Sequence, residues 1–217
     1  MTVDERDAEL PGRLLRVGRD ELIPLLRGRA DADFDVRTSG CPEWTVREVL
    51  AHCGAVLTRV REERYEKGVF SPESNDRDIA ERAEWSVKEI VDEVERGLTD
   101  AGPTIAAATH GLFDGIGLGE WVHVGDVRVA WGLPGAYGGA GLGDALSLLG
   151  VFARGKLLVR AELTDGRGEL TLGSEGGVEA RYVGDGPTLI RLCSGRSVEG
   201  AEFELVGAEV GELNLFG

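Results

Sequence analysis

Cysteine is scarce and badly placed for any covalent framework: Cys41, Cys53 and Cys193 are three in number and widely separated. An odd count at such spacing excludes a disulfide-stapled fold and a CxxC metal or redox pair, so free thiols are expected. Long apolar runs are missing too. No stretch approaches the ~18 apolar residues of a membrane span, and the N-terminal MTVDERDAEL is charged from its fourth residue, with no apolar signal region. A cytosolic protein without a membrane partner is expected. Positive charge is also short, since 24 Lys and Arg stand against 39 Asp and Glu, a formal charge of −15, and lysine occurs only as Lys67, Lys88 and Lys156. Such a surface repels phosphate backbones and offers no contiguous basic stripe, which argues against nucleic acid as a partner. Also absent are a GxSxG elbow, an HExxH pair, an EF-hand loop and any nucleic-acid module.

What is present is an ordinary globular composition. With 217 residues, 42% hydrophobic and 29% charged, the chain can bury one generous core or two small ones. Abundant Gly and Ala with little Lys fit a high-GC bacterial genome. Leu10, Leu14, Leu15, Val17, Leu22, Leu25 and Leu26 recur at helical spacing, with Gly18 and Pro24 predicting a break in that helix. Thr45 and Glu48 form a capping box flanked by Trp44 and Val49 as a hydrophobic staple, which starts a helix that should run to about Gly68. After a polar loop, SPESNDRD, the same grammar recurs with Ser86 and Glu89, then Trp85 and Ile90. A fourth helix is predicted from about Gly117 to Trp131. The glycine-rich residues 133–143 match no phosphate-binding pattern and read as a flexible connection, followed by a last helix in DALSLLGVFARG.

From Leu157 the period becomes alternating: LLVRAEL, GELTLG and VEARYV, with hairpin turns at Asp165-Gly166 and Gly176-Gly177. A short helix opens at Asp185-Gly186-Pro187 and closes at Gly195, and AEFELVG and GELNLFG read as two more strands. The expected fold is therefore α+β, a four-helix bundle over residues 1–155 followed by a small α+β domain over 156–217 with a mainly antiparallel sheet.

Three histidines, His52, His110 and His123, narrow the search for chemistry. His52 lies on the apolar stripe of the second helix, three after Val49 and four before Val56, so its ring points to the bundle interior. Glu120 and His123 share one helix at the Glu-x-x-His spacing that puts a carboxylate and an imidazole on one face. Together the three make a metal site with an open coordination position, or else a hydrogen-bonded core histidine and an unrelated Glu/His pair; spacing leaves both open. Cys53 reads as a small hydrophobe on the packed face, and His110 as a loop residue without a role.

Two segments carry a resemblance. CPEWTVREVLAHCGAV resembles the DinB-like, mycothiol-dependent maleylpyruvate isomerase-like family, in which a Trp-Thr-Val helix start leads to an Ala-His pair whose histidine is a metal ligand; His52 takes that place. EWVHVGDVRVAWGLP is similar to the family's second signature, with His123, Asp126 and Arg128 matching its histidine, aspartate and arginine. PTLIRLCSGR followed by AEFELVG resembles the family's small C-terminal domain, with Arg196 as its arginine. The resemblance implies a divalent metal, in the first place zinc, on His52, Glu120 and His123, and mycothiol, a low-molecular-weight actinobacterial thiol, as cosubstrate. It implies addition of that thiol to a small electrophilic substrate by an isomerase or S-transferase, with Arg196 anchoring substrate charge, in a monomer or homodimer. One departure is visible: the family's glutamate precedes its histidine by four residues, and here position 119 is glycine while Glu120 stands three before His123. That departure keeps open a non-catalytic ligand-binding or interaction protein with a degenerate site.

Overall fold

The computed structural model describes residues 6–65, 71–152, 157–173 and 175–214. They form helices α1 (Leu10–Arg27), α2 (Val46–Arg61), α3 (Pro72–Glu81), α4 (Val87–Asp100), α5 (Gly102–Ala107), α6 (Asp114–Ala130) and α7 (Leu142–Phe152), then strands β1 (Leu157–Leu163), β2 (Gly168–Gly173) and β3 (Val178–Gly184), helix α8 (Gly186–Cys193) and strand β4 (Phe203–Val206). By packing the chain divides into two compact units, Met1–Gly132 and Leu133–Gly217. The change of period in the sequence predicts a boundary near residue 155. The difference is α7, whose neighbours are α8 and β2, so its apolar face completes the second unit rather than the bundle.

In the first unit α1, α2, α4 and α6 form the bundle: α2 packs on α4 and α6, and α1 on α6 and α4. Its core is built from Leu15, Leu22, Leu26, Val49, Leu50, Leu57, Ile90, Val94, Leu98 and Val127, all nearly inaccessible to water. Close approach is enabled at Gly97 of α4, where a Cβ would lie 2.5 Å from that of Leu57 on α2. The helix starts are as the sequence predicts. Thr45 Oγ1 accepts from Glu48 N–H while the Thr45 N–H donates to Glu48 Oε2 at 2.7 Å, and Ser86 and Glu89 repeat the arrangement for α4. Thr45→Ala should therefore lower stability by about 1 kcal/mol, read as a shift of the urea midpoint without a change in slope.

Three local expectations are corrected. Pro24 does not break α1, because it sits in the last turn, where one missing N–H costs one bond while Leu22, Ile23 and Leu26 stay buried. α2 ends at Arg61 rather than near Gly68, and residues 66–68 lie outside the described residues. The polar loop is helix α3, capped by Ser71 with Pro72 in its first turn. It buries Ser74 and Asp78 instead of an apolar stripe, and Asp78 forms a two-bond ion pair with Arg59 of α2, Nη1 to Oδ2 at 2.8 Å. A helix anchored by charge leaves no 3.6-residue apolar signal to find.

The second unit is a four-stranded sheet of order β2-β1-β3-β4. β1 and β2 are the expected antiparallel hairpin, and β3 and β4 are antiparallel. β3 does not pair with β2; it lies parallel to β1 with Leu157 opposite Val178, so Gly176-Gly177 turn the chain toward the far side of β1. The predicted strand GELNLFG is a 3-10 turn over Val210–Leu213, and residues 215–217 lie outside the described residues. α8 closes with Gly195 at φ +69°, with Arg196 N–H donating to Arg191 O at 2.8 Å, the glycine-terminated form the sequence predicts. Among the described residues, no helix is long and apolar enough to cross a membrane.

Candidate metal centre

The Thr45 cap fixes the phase of α2, and two turns later that phase turns His52 inward, where it is 9% exposed. Its ring rests on Trp44, 5.2 Å between centroids, and meets the ring of His123 edge to face at 5.4 Å. His52 Nδ1 is buried and has no hydrogen-bond partner, a state that costs about 1–3 kcal/mol when nothing fills it. Burial, reinforced by the charges of His123 and Arg59, pulls the His52 pKa down to about 3. The ring is thus neutral at physiological pH, with a lone pair for a ligand.

Because the unfolded chain takes up this proton near the ordinary value of 6.5 and the folded chain resists to about 3, stability present above pH 6.5 is lost as pH falls toward 3. Metal-free wild type should therefore lose roughly 2–3 kcal/mol more than His52→Leu between pH 7 and pH 4, measured by urea unfolding at both pH values.

On α6, Glu120, His123 and Asp126 follow one another every three residues. At about 100° per residue each step of three rotates by about −60°, so Glu120 and Asp126 point to opposite sides of His123. Glu120 turns into the bundle interior, where it and His123 line a small cavity with Cys53, Leu22, Leu50 and Val94. Burial pushes the Glu120 carboxyl up to about 7, against the opposing pull of the His123 charge and a hydrogen bond with Cys53. The Cys53 thiol is raised well above its usual range by burial and by Glu120, which makes it inert, as a packed small hydrophobe should be.

On the other side His123 Nδ1–H donates to Asp126 Oδ2 at 3.1 Å, and the Cys41 thiol donates to the same oxygen at 3.9 Å. Asp126 is fully buried. Burial lowers the His123 pKa, but hydrogen bonds with Asp126 and Cys41 outweigh it and carry the value up to about 10.

Of the residues singled out from sequence, the fold thus brings the rings of His52 and His123 together edge to face and sets Glu120 beside His123 on the core side. Among the described residues, the group of metal-ligating side chains whose donor atoms all lie within 4.8 Å of one another is Cys41, His123 and Asp126. Cys41 was not singled out from sequence, and nothing local could have done so, since it meets α6 from 85 positions upstream of Asp126. Arg196 belongs to the second unit, half-buried at the end of α8, and its Nη1 donates to Ser194 O at 2.6 Å. His110 is an exposed residue between α5 and α6 with φ +56°.

A family model described as the mycothiol maleylpyruvate isomerase N-terminal domain matches residues 15–128, more than half of the chain and the span that carries Cys41, His52, Glu120, His123 and Asp126. Two crystal structures of a mycothiol-dependent maleylpyruvate isomerase, one of them a histidine-to-alanine variant, share this fold. Each is 14% identical, with TM-score 0.55 over 94% of this chain and 95% of the other. No curated relative matches.

Proposed function

Since the chain belongs to the mycothiol maleylpyruvate isomerase N-terminal domain family, we propose that it is a thiol-dependent metalloenzyme that adds mycothiol or a similar low-molecular-weight thiol to a small electrophilic substrate. The observation that carries this reading is the pair of imidazoles from α2 and α6, 5.4 Å apart, one of them neutral with a buried nitrogen that no protein group satisfies. Nitrogen, carboxylate and thiol donors gathered between bundle helices suit zinc or a similar borderline divalent ion. His52 and His123 would hold the ion, with Glu120 as the acidic ligand proposed from the sequence. When bound, such an ion supplies a Lewis acid that favours the deprotonated form of a thiol in its open position.

The chain's own groups do the rest. Trp44 and the apolar wall of α2 keep water from His52, which cannot take up a competing proton near neutral pH. Arg196, in the second unit, is the arginine proposed from the sequence to anchor substrate charge. In the reaction the thiolate sulfur bonds to an electrophilic carbon and the displaced electron pair moves onto a conjugated oxygen. Isomerisation follows by rotation about the resulting single bond and expulsion of the thiolate, whereas an S-transferase stops at the adduct.

A second reading, a non-catalytic small-ligand or interaction protein on the same scaffold, is favoured by one observation: Glu120 turns toward Cys53 and away from Asp126. The two separate on protein purified without chelator. The enzyme reading expects about one divalent ion per chain, a rise in melting temperature on adding Zn²⁺, and loss of both in His123→Ala. Absence of metal and of any Zn²⁺ response in the folded wild type refutes it and leaves the binding-protein reading.

A further inference from the structure

Glu120 and Asp126 flank His123 on opposite sides, and the chemistry gathered on the two sides differs. Toward Glu120 the surroundings are Leu22, Leu50, Val94, Leu98 and an inert thiol. Toward Asp126 stand a fully buried carboxylate, an imidazole nitrogen and the thiol of Cys41, partly exposed and with its sulfur within reach of both. Position 119 lies about −40° from His123 and about 20° from Asp126 around the helix axis, so it shares the Asp126 side. There Gly119 faces open space, with no atom within 4 Å of where a Cβ would be.

We propose that Cys41, His123 and Asp126 form the donor set of a single divalent transition-metal ion, with Cys41 as a thiolate ligand in place of a glutamate.

This rests on the reading that the first unit holds a divalent ion on His123, and it replaces Glu120 as the acidic ligand by Asp126 and Cys41, which puts that ion on the Nδ1 side of His123. The spacing is suitable. Bonds of about 2.0–2.3 Å in a tetrahedral site set donor atoms roughly 3.3–3.8 Å apart, and the existing separations of 3.1 Å (His123 Nδ1 to Asp126 Oδ2) and 3.9 Å (Cys41 Sγ to Asp126 Oδ2) bracket that range. The exchange also balances. Without metal, two protons hold the cluster together, one on the Cys41 sulfur and one on His123 Nδ1, both directed at Asp126. A dication entering breaks the S–H and Nδ1–H bonds, the two protons leave to solvent, and the net charge of the site is unchanged. Three protein donors leave a fourth position open, and the His52 ring, whose Nδ1 has no hydrogen-bond partner, lies 5.4 Å between centroids from that of His123.

Loading the metal-free protein with Co²⁺ tests this directly, because a thiolate ligand gives an intense near-ultraviolet sulfur-to-cobalt charge-transfer band that histidine and carboxylate ligands do not. Wild type should show the band with one equivalent of Co²⁺. Cys41→Ser should lose the band and bind Zn²⁺ about a hundredfold more weakly or worse, while Asp126→Asn keeps the band and loses affinity. Cys193→Ala, in the other unit, should keep both. An unchanged urea midpoint for metal-free Cys41→Ser separates ligand loss from misfolding. Stoichiometric Co²⁺ binding without the band, or a band that survives Cys41→Ser and disappears in Cys53→Ala, overturns this donor set and leaves the metalloenzyme reading standing. No Co²⁺ or Zn²⁺ binding by folded wild type overturns both.

Discussion

Gly119→Glu should tighten Zn²⁺ binding at least tenfold, about 1.4 kcal/mol, and raise the stability of the metal-free protein by about 0.5–1 kcal/mol. The affinity gain follows from helix geometry. Residues 119 and 126 are seven apart, so their side chains emerge about 20° from one another around α6, on the side of His123 where Cys41 also stands. A glutamate there meets no atom near its Cβ and has the reach to add a carboxylate to the site. The stability gain is separate, since glycine inside a helix carries a backbone entropy cost that glutamate does not. Titration calorimetry with Zn²⁺ reads the first effect and urea unfolding of the metal-free protein the second. If Gly119→Glu becomes more stable without binding Zn²⁺ more tightly, the metal does not sit on the Asp126 side of α6.

Asp78→Ala should destabilise the first unit by about 3–5 kcal/mol, because it removes one partner of a buried ion pair. Arg59 and Asp78 are 6% and 0% exposed and pair through two hydrogen bonds. The effect should extend to the metal centre. Arg59 lies seven residues after His52 on α2 and its charge helps keep that ring unprotonated. Losing Asp78 removes a negative charge paired with Arg59, whose field already reaches His52, so Zn²⁺ affinity should fall along with stability. Asp78→Asn, which keeps hydrogen-bond acceptance but not charge, should lose less of both. Equilibrium urea unfolding, followed by Zn²⁺ titration under conditions where the variant is folded, tests the pair; a loss below 1 kcal/mol for Asp78→Ala would show that water replaces the carboxylate at little cost.

Where the determinants were local, the sequence carried them in full. The Thr45–Glu48 and Ser86–Glu89 boxes need only four consecutive residues, and they set the phase that turns His52 and the apolar stripes of α2 and α4 inward. The switch from helical to alternating period at Leu157 marked the sheet unit, and Gly195 marked the end of α8. The rest depended on partners distant in the chain. α3 is anchored to α2 where Arg59 meets Asp78, the side of β1 on which β3 lies is a choice between edges, and α7 joins the second unit because α8 and β2 cover its apolar face. At the site, sequence nominated the two histidines, whose burial follows from helix phase. It could not nominate Cys41, since only bundle packing carries a loop thiol to Asp126, or decide that Glu120 and Asp126 face different surroundings. Short-range chemistry fixes which way a side chain leaves its own helix, and only the fold supplies what waits there.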